Sequence, residues 1–470
     1  MARFPLFHPF SKFTLLFLAT LLSTVVISNQ QQPLLSSTEQ DAVYQVLDSI
    51  NSAIPWRSLF PDDLCSSSAP HGVVCDLFSN PNVSFAETAH VTELSFGYVS
   101  DYTPNPPCSP NSTIDPLLFT SFKYLRKLFF YQCFTETRVS VPEIPPSFGS
   151  SLEELVFVDN PSLVGSIGGI LGNFTNLRRV VLTGNGFYGN IPDGVAHLVN
   201  LEELTLSRNQ LGGEISLSFA KLKKLKVLDL GYNGFAGNVP ESVGNLSELL
   251  KLDLSSNGFS GKIPESFKNM QRLELLDLSL NQFSNSGIPL FLAEMPQLKQ
   301  VHLSGNLLGG KIPEIWKNLG GILGIGLSDM GLVGEIPASM GVHLKNLRYL
   351  GLDNNKLEGT VPEEFGFLES VNEINLENNS LSGKVSLSRS FSAKIGHKLK
   401  LAGNPQLCVD DGFIFFSKTK SAAGLEQLKV CRKPHKPNPA LLSVVSSSVQ
   451  VVVPSKLLFA TWVLFMLIFA

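Results

Sequence analysis

The chain repeats a unit of 24 residues, and that period limits its possible folds more than any figure of composition. "LVNLEELTLSRNQLGGEISLSFAK" (198–221), "LKKLKVLDLGYNGFAGNVPESVGN" (222–245) and "LSELLKLDLSSNGFSGKIPESFKN" (246–269) follow one another without a gap and share LxxLxxLxLxxNxxxGxI or a close variant. The asparagine of this pattern falls at Asn160, Asn185, Asn209, Asn233, Asn257, Asn281, Asn306, Asn355, Asn379 and Asn404. Met330 breaks the series, and Cys133 stands in an earlier slot. One unit cannot bury its own leucines, but stacked units can.

The chemistry of one unit is legible. In "KLDLSSN", Leu252 and Leu254 alternate with Lys251, Asp253 and Ser255, which predicts a short strand with one buried and one wet face. Asn257 follows at the turn, where an amide can satisfy backbone groups that the bend leaves unpaired. Gly261 permits a tight bend, and Ile263-Pro264 starts the return path. Period and consensus are those of a leucine-rich repeat. The expected class is therefore α/β, a leucine-rich repeat solenoid with a parallel β-sheet on its concave face. It should have about thirteen coils, the repeats running over 93–403. A thioether at Met330 predicts a looser coil there, or a water in place of the missing amide.

Solenoid ends need caps. Residues 29–92 form the expected N-terminal cap, with a helix at "TEQDAVYQVLDSI" (38–50). Thr38 and Asp41 approximate a capping box, and Val43, Val46, Leu47 and Ile50 are spaced for one buried face. Residues 404–433 form the expected C-terminal cap. The six cysteines fall into neighbouring pairs, Cys65/Cys75, Cys108/Cys133 and Cys408/Cys431, and the wide gap after Cys133 favours local bridges.

Disulfides require an oxidising compartment. Residues 1–28 supply the address: Arg3 and Lys12, then an apolar run from Phe13 to Ile27, read as a secretory signal peptide. Five glycosylation sequons, at Asn82, Asn111, Asn173, Asn245 and Asn378, fit export. Asn378 should lie near the concave rim, and Asn173 and Asn245 on the return path. After a linker at 434–456 comes the apolar tail 457–470. Two readings of the tail stand side by side. As a glycosylphosphatidylinositol signal it follows the small residues Ser446, Ser447 and Ser448 and a spacer. As a terminal membrane span its run is short of the roughly 20 residues a helix needs. The anchor is the favoured reading.

Several features resemble the plant extracellular leucine-rich repeat class. "NGFSGKIPESF" matches its NxxxGxIPxxL signature, and "HGVVC" (71–75) is similar to WxGVxC of its N-terminal cap, with His71 near the usual Trp. "TEQDAVYQVL", "HVTELSFGYVSDYTPNPPC", "LRKLFFYQCF" and "GHKLKLAGNPQLC" resemble the receptor-like proteins that lack a kinase, in the receptor-like protein 29 group. The resemblance runs from about residue 38 to 431. It implies a protein on the outer face of the plasma membrane that binds a secreted peptide, a leucine-rich repeat receptor kinase ectodomain, or both. Output would then pass through the partner. The alternative of another class is a secreted cell-wall protein that inhibits a microbial pectin-degrading enzyme, as polygalacturonase inhibitors do.

Other chemistry finds little support. A formal net charge of −4 with no basic cluster argues against nucleic acid. HExxH, GxSxG and CxxC are absent, so no catalytic or metal set is expected, and no cofactor. Asp229, Asp253 and Asp277 fall at one repeat position and read as a solvated face. "GNLLGGK" (305–311) mimics a phosphate loop, but Ile312 follows it where Ser or Thr is needed. "GGILGIG" (320–326) is a weak glycine match inside a repeat. Recognition residues are expected at exposed strand positions: Tyr98, Phe129 and Tyr131 as aromatic anchors, then Arg208, Tyr232, Lys251, His302, Asp329, Tyr349, Asp353, Glu373 and Glu377.

Overall fold

The computed structural model describes residues 34–66, 71–79, 87–97, 105, 107–410 and 428–431. The signal peptide, Asn82, Tyr98, Ser446 to Ser448 and the apolar tail lie outside the described residues. The chain divides into two units, Met1–Cys431 and Arg432–Ala470, and only the first is described here.

Short strands, one per coil, pair into a single sheet of fourteen. The first, Val73–Ser79, runs antiparallel to Glu87–Phe96. From there the pairing is parallel, through Lys127–Tyr131, Glu154–Val158 and on to Leu399–Lys400. Most of these strands are three residues long, with the central leucine or isoleucine buried, as in Lys251–Asp253. A second, seven-stranded sheet forms on the return path, and 3-10 turns such as Glu241–Asn245 close the coils. Phenylalanines two residues after the asparagine slot (Phe187, Phe235, Phe259 and Phe283) are fully buried between the layers.

The slot asparagines hold the coils together. Asn257 Nδ2 donates to the carbonyls of Leu230, Leu254 and Ser255 at 2.9, 3.2 and 3.0 Å. Its Oδ1 accepts the Phe235 N–H of the preceding coil at 3.0 Å. Each amide thus pairs buried backbone groups in two successive coils. Leu254 O takes a second amide, from Asn281, at 2.9 Å. At Met330, fully buried, this doubling is lost. Leu303 O keeps only the Asn306 amide (2.9 Å), and Leu327 O keeps Asn355 (2.8 Å).

The N-terminal helix spans Ser37–Ile50, and its cap is Ser36, whose Oγ accepts the Glu39 N–H at 3.2 Å. This corrects the reading of Thr38 and Asp41 as the capping pair. Ser36 is the residue with extended backbone just before the first turn, the geometry a cap requires. Glu39 turns inward instead of back to the cap. Its carboxylate accepts the Val91 N–H and contacts His90 Nδ1, both at 2.9 Å, which ties the helix to the first repeat strand. Disulfides join Cys65 to Cys75, Cys108 to Cys133 and Cys408 to Cys431.

Candidate functional site

The exposed face of the large sheet is built from the first and third residues of each strand, and it changes character along the coils. Over the first five parallel strands the residues that open the parallel register are Glu93, Lys127, Glu154, Arg179 and Glu203, one beside the next. Their signs alternate, and each contacts its neighbour: 3.6 Å (Lys127–Glu93), 3.7 Å (Lys127–Glu154), 3.6 Å (Arg179–Glu154) and 2.8 Å (Arg179–Glu203). A parallel row one residue upstream pairs Glu202 with Arg178 at 2.7 Å and Lys226 at 2.6 Å. Hydrogen bonds from Lys226 and Arg178 hold the Glu202 carboxyl down to about 2. A cleft of about 270 Å³ between the rows is lined by these charges, which are engaged with one another.

Phe129 and Tyr131 stand beside this ladder, half-buried on Lys127–Tyr131 with ring centroids 6.2 Å apart. Burial raises the Tyr131 phenol; Arg179 opposes the shift, and Glu93 and Glu154 add to it. Asn105 donates to Ser95 O at 3.1 Å, and Ser95 is the register partner of Phe129. Asn105 is therefore pinned at the strand next to these rings.

The centre of the face differs. In the strand Gly324–Gly326 both outward positions are glycine, and Gly351 follows in the next coil. A Cβ on Gly326 would lie 2.8 Å from His302 Nδ1, and one on Gly351 would lie 2.6 Å from the Tyr349 hydroxyl. His302 and Tyr349 thus lie over the buried glycines of this stretch, where the missing side chains make room for the two rings. Burial raises the Tyr349 phenol, helped by Asp353 and Glu373 and opposed by Lys400. Asp353 accepts from Ser328 Oγ at 2.6 Å, and Glu373 pairs with Lys400 at 2.6 Å.

Arg208, Tyr232, Asp329, Asp353 and Glu377 are not strand residues, contrary to expectation. The strands end earlier, at Thr205, Asp229, Gly326, Gly351 and Asn375. Arg208, Tyr232 and Asp329 occupy the position just before the slot, where the backbone is left-handed (φ 56°, 54° and 52°). That position forms a rim, held from coil to coil by backbone rungs such as Tyr232 N–H to Ser255 O at 2.9 Å. Arg208 pairs with Asp159 at 2.6 Å beside a depression of about 430 Å³. Tyr232 projects freely, 60% exposed.

The structure therefore groups His302, Tyr349 and Asp353 within three successive coils, and sets Phe129 and Tyr131 apart near the N-terminal cap. Lys251 belongs to the fold. Burial works against its charge, but Asp229 at 2.8 Å and Asp253 at 3.6 Å outweigh it and raise the ammonium above its usual value. The aspartate column has a local task as well. Asp253 and Asp277 Oδ1 accept the N–H groups of Ser255 and Ser279 at 3.1 and 2.9 Å. Of the sequons, Asn111, Asn245 and Asn378 are exposed. Asn173 Nδ2 donates to Ile144 O at 2.7 Å, and Asn378, on the rim at φ 55°, donates to Asn354 Oδ1 at 2.8 Å. Leu280 and the glycines beneath His302 and Tyr349 are not among the residues expected to recognise a partner. Their signal was an outward repeat position carrying an unusual residue.

Comparison with known proteins agrees with this architecture. The Leucine rich repeat family matches residues 175–235 and 224–283, and its single-repeat form matches 297–319 and 346–368. Among curated proteins of Arabidopsis thaliana, the chain is 34% identical over 163 residues to Piriformospora indica-insensitive protein 2, covering 34% of this chain and 36% of that one. It is 37% identical over 140 residues to protein TOO MANY MOUTHS, covering 30% of this chain and 26% of that one. Receptor like protein 29, from the same plant, is 31% identical over 177 residues, or 37% of this chain and 36% of that one. The match thus spans about a third or less of each relative's length. Among solved structures, a TDR receptor superposes with TM-score 0.54 at 26% identity, over 64% of this chain and 50% of that one. The PEPR1-AtPEP1 structure gives 0.52 at 26%, over 80% and 49%. Asparagine ladder, parallel sheet and these likenesses together identify a leucine-rich repeat solenoid, similar over part of its length to Arabidopsis proteins that include Receptor like protein 29.

Proposed function

We propose that this chain is a cell-surface receptor-like protein that captures a secreted peptide, a receptor-kinase ectodomain, or both, on the central face and rim of its sheet. The observation that carries this reading is the contrast along the face. The N-terminal charges are consumed by one another, whereas around Gly324–Gly326 the rings of His302 and Tyr349 lie over glycines and form no ion pair among the described residues. Those residues add nothing to the core, and rigid aromatic groups on a strand are good anchors. Likeness to receptor-like proteins supports the same reading. In this reading the protein sits on the outer face of the plasma membrane through the tail at 457–470, and its signal passes through the kinase of the partner. Among the described residues no helix is long and apolar enough to cross a membrane.

The test is a binding panel. Full chain purified from plant cells in detergent is titrated with leucine-rich repeat receptor kinase ectodomains and with secreted peptides. Saturable binding that Tyr349→Ala weakens is the expected result. Binding to none of them, with inhibition of a pectin-degrading enzyme instead, would overturn the proposal.

A further inference from the structure

Leu280 and Tyr232 are poorly placed by every folding criterion. Both occupy the left-handed rim position at φ 54°, and they are 57% and 60% exposed. Most other coils put Gly184, Gly305, Gly403, Asp159, Asp329, Asn354 or Asn378 there, residue types that tolerate this backbone, and the rest carry the polar Gln132, Arg208 and Ser256. A bulky apolar residue gains no burial at such a site and strains the chain. Strained and exposed together, it points to a role outside the fold.

The surroundings of Leu280 say what that role is. A Cβ on Gly305, the next rim position, would lie 2.7 Å from Leu280 Cδ2, so the leucine lies along the empty flank of that glycine. The position after it is Asp329, exposed, its carboxylate without a hydrogen bond or ion pair among the described residues. Backbone rungs fix all three: Leu280 N–H to Ser304 O at 2.8 Å, Gly305 N–H to Ser328 O at 2.9 Å, Asp329 N–H to Asp353 O at 3.0 Å. At strand spacing Leu280 and Asp329 stand about 10 Å apart, and the Leu280 side chain is what lies nearest to Gly305 between them. Neighbouring rim charges are already used. Arg208 holds Asp159, and Asp353 holds Ser328 and Asn354.

We infer that Leu280, Gly305 and Asp329 form a seat for a lysine or arginine side chain of a bound peptide, which rests on the receptor reading above and specifies its ligand. A long basic side chain laid over Gly305 packs its methylene stem on Leu280 and carries its charge to Asp329. An acidic or a short apolar residue completes neither contact. Tyr232 extends the seat. From Tyr232 to Asp329 the rim advances four coils, roughly 19 Å, which about six extended residues span. The fitting ligand is an extended segment with an apolar residue at the Tyr232 end and a basic one over Gly305.

The test uses random twelve-residue peptides displayed on phage, panned against the full chain. The best peptide is then titrated against wild type, Leu280→Asn and Asp329→Asn. Asparagine accepts left-handed backbone, so both variants keep the fold, and Leu280→Asn should melt at or above the wild-type temperature. Selected peptides should share a Lys or Arg at one fixed position and bind each variant about tenfold more weakly, the scale of one charged contact. Peptides without a basic position, or with equal affinity for all three proteins, would overturn the seat and leave peptide binding standing. If wild type selects no peptide, peptide binding itself fails, and the seat with it.

Discussion

Asn355 holds the backbone of Met330: its Oδ1 accepts the Met330 N–H at 3.0 Å and the Leu332 N–H at 3.0 Å. Its Nδ2 also supplies the amide on Leu327 O, at 2.8 Å. The coil that lacks an asparagine is therefore tied to the following coil through Asn355. Asn257 is less exposed to loss, because Leu230 O and Leu254 O each take a second amide. Asn355→Leu should accordingly lower stability more than Asn257→Leu. Each buried group left unpaired costs about 1–3 kcal/mol, and urea unfolding of the two variants side by side measures the difference. Equal losses would show that the doubled carbonyls do not buffer the other coils.

Met330→Asn should raise stability. The new amide can reach Leu303 O and Leu327 O, which now take one amide each. A net gain of about 0.5–1.5 kcal/mol per bond is offset in part by the lost thioether packing. An unchanged or lower urea midpoint would mean that the single amides already suffice.

Gly326→Ala probes the central face. The added methyl group would meet His302 Nδ1, the end of a side chain that can swing away, and φ there is not left-handed. Stability should fall by about 1 kcal/mol as His302 makes room, while affinity for the captured peptide or kinase ectodomain falls about tenfold, as expected for one displaced contact. Unaltered affinity would remove this part of the sheet from the binding surface.

His71 makes the N-terminal cap sensitive to acid. It is 3% exposed, it accepts the Val73 N–H through Nδ1 at 3.1 Å, and burial lowers its pKa below 6.5. The fold therefore prefers the neutral ring. Its contribution is complete above the unfolded value of about 6.5 and fades as pH falls through the lower folded value. Melting temperatures between pH 7.5 and 5 should drop more in wild type than in His71→Gln. Parallel curves would refute the assignment.

Replacing Cys408 and Cys431 with serine should open the last coil. Closing a loop of this separation, 23 residues, is worth about 3 kcal/mol by chain entropy. In a stack of coils the damage stays near the break. Hydrogen exchange should speed up over Leu399–Lys400 and Gln406–Val409 and stay slow near Asn257.

The fold was legible because the repeat states it many times. Asn257 and Leu252 recur at fixed spacing, and physics gives each a single task. Strand ends were less legible. Arg208 and Asp329 read as strand residues because alternation continues past the point where the backbone turns left-handed. The cap was misread by two residues because Ser36 and Thr38 are equally good cap types, and only backbone geometry separates them. The charge ladder escaped notice because Glu154 and Arg179 are remote along the chain and meet only once coils stack. Leu280 was hidden in a leucine-rich sequence, where one more leucine draws no attention.

The ladder from Glu93 to Glu203 also gives the array a parity. Excising the coil that carries Glu154 would set Lys127 beside Arg179, like against like, on adjacent strands. Excising two successive coils would restore a plus beside a minus. This stretch should therefore tolerate length changes in even steps and resist odd ones, an arithmetic rule that paired one-coil and two-coil deletions, compared by melting temperature at low salt, would expose.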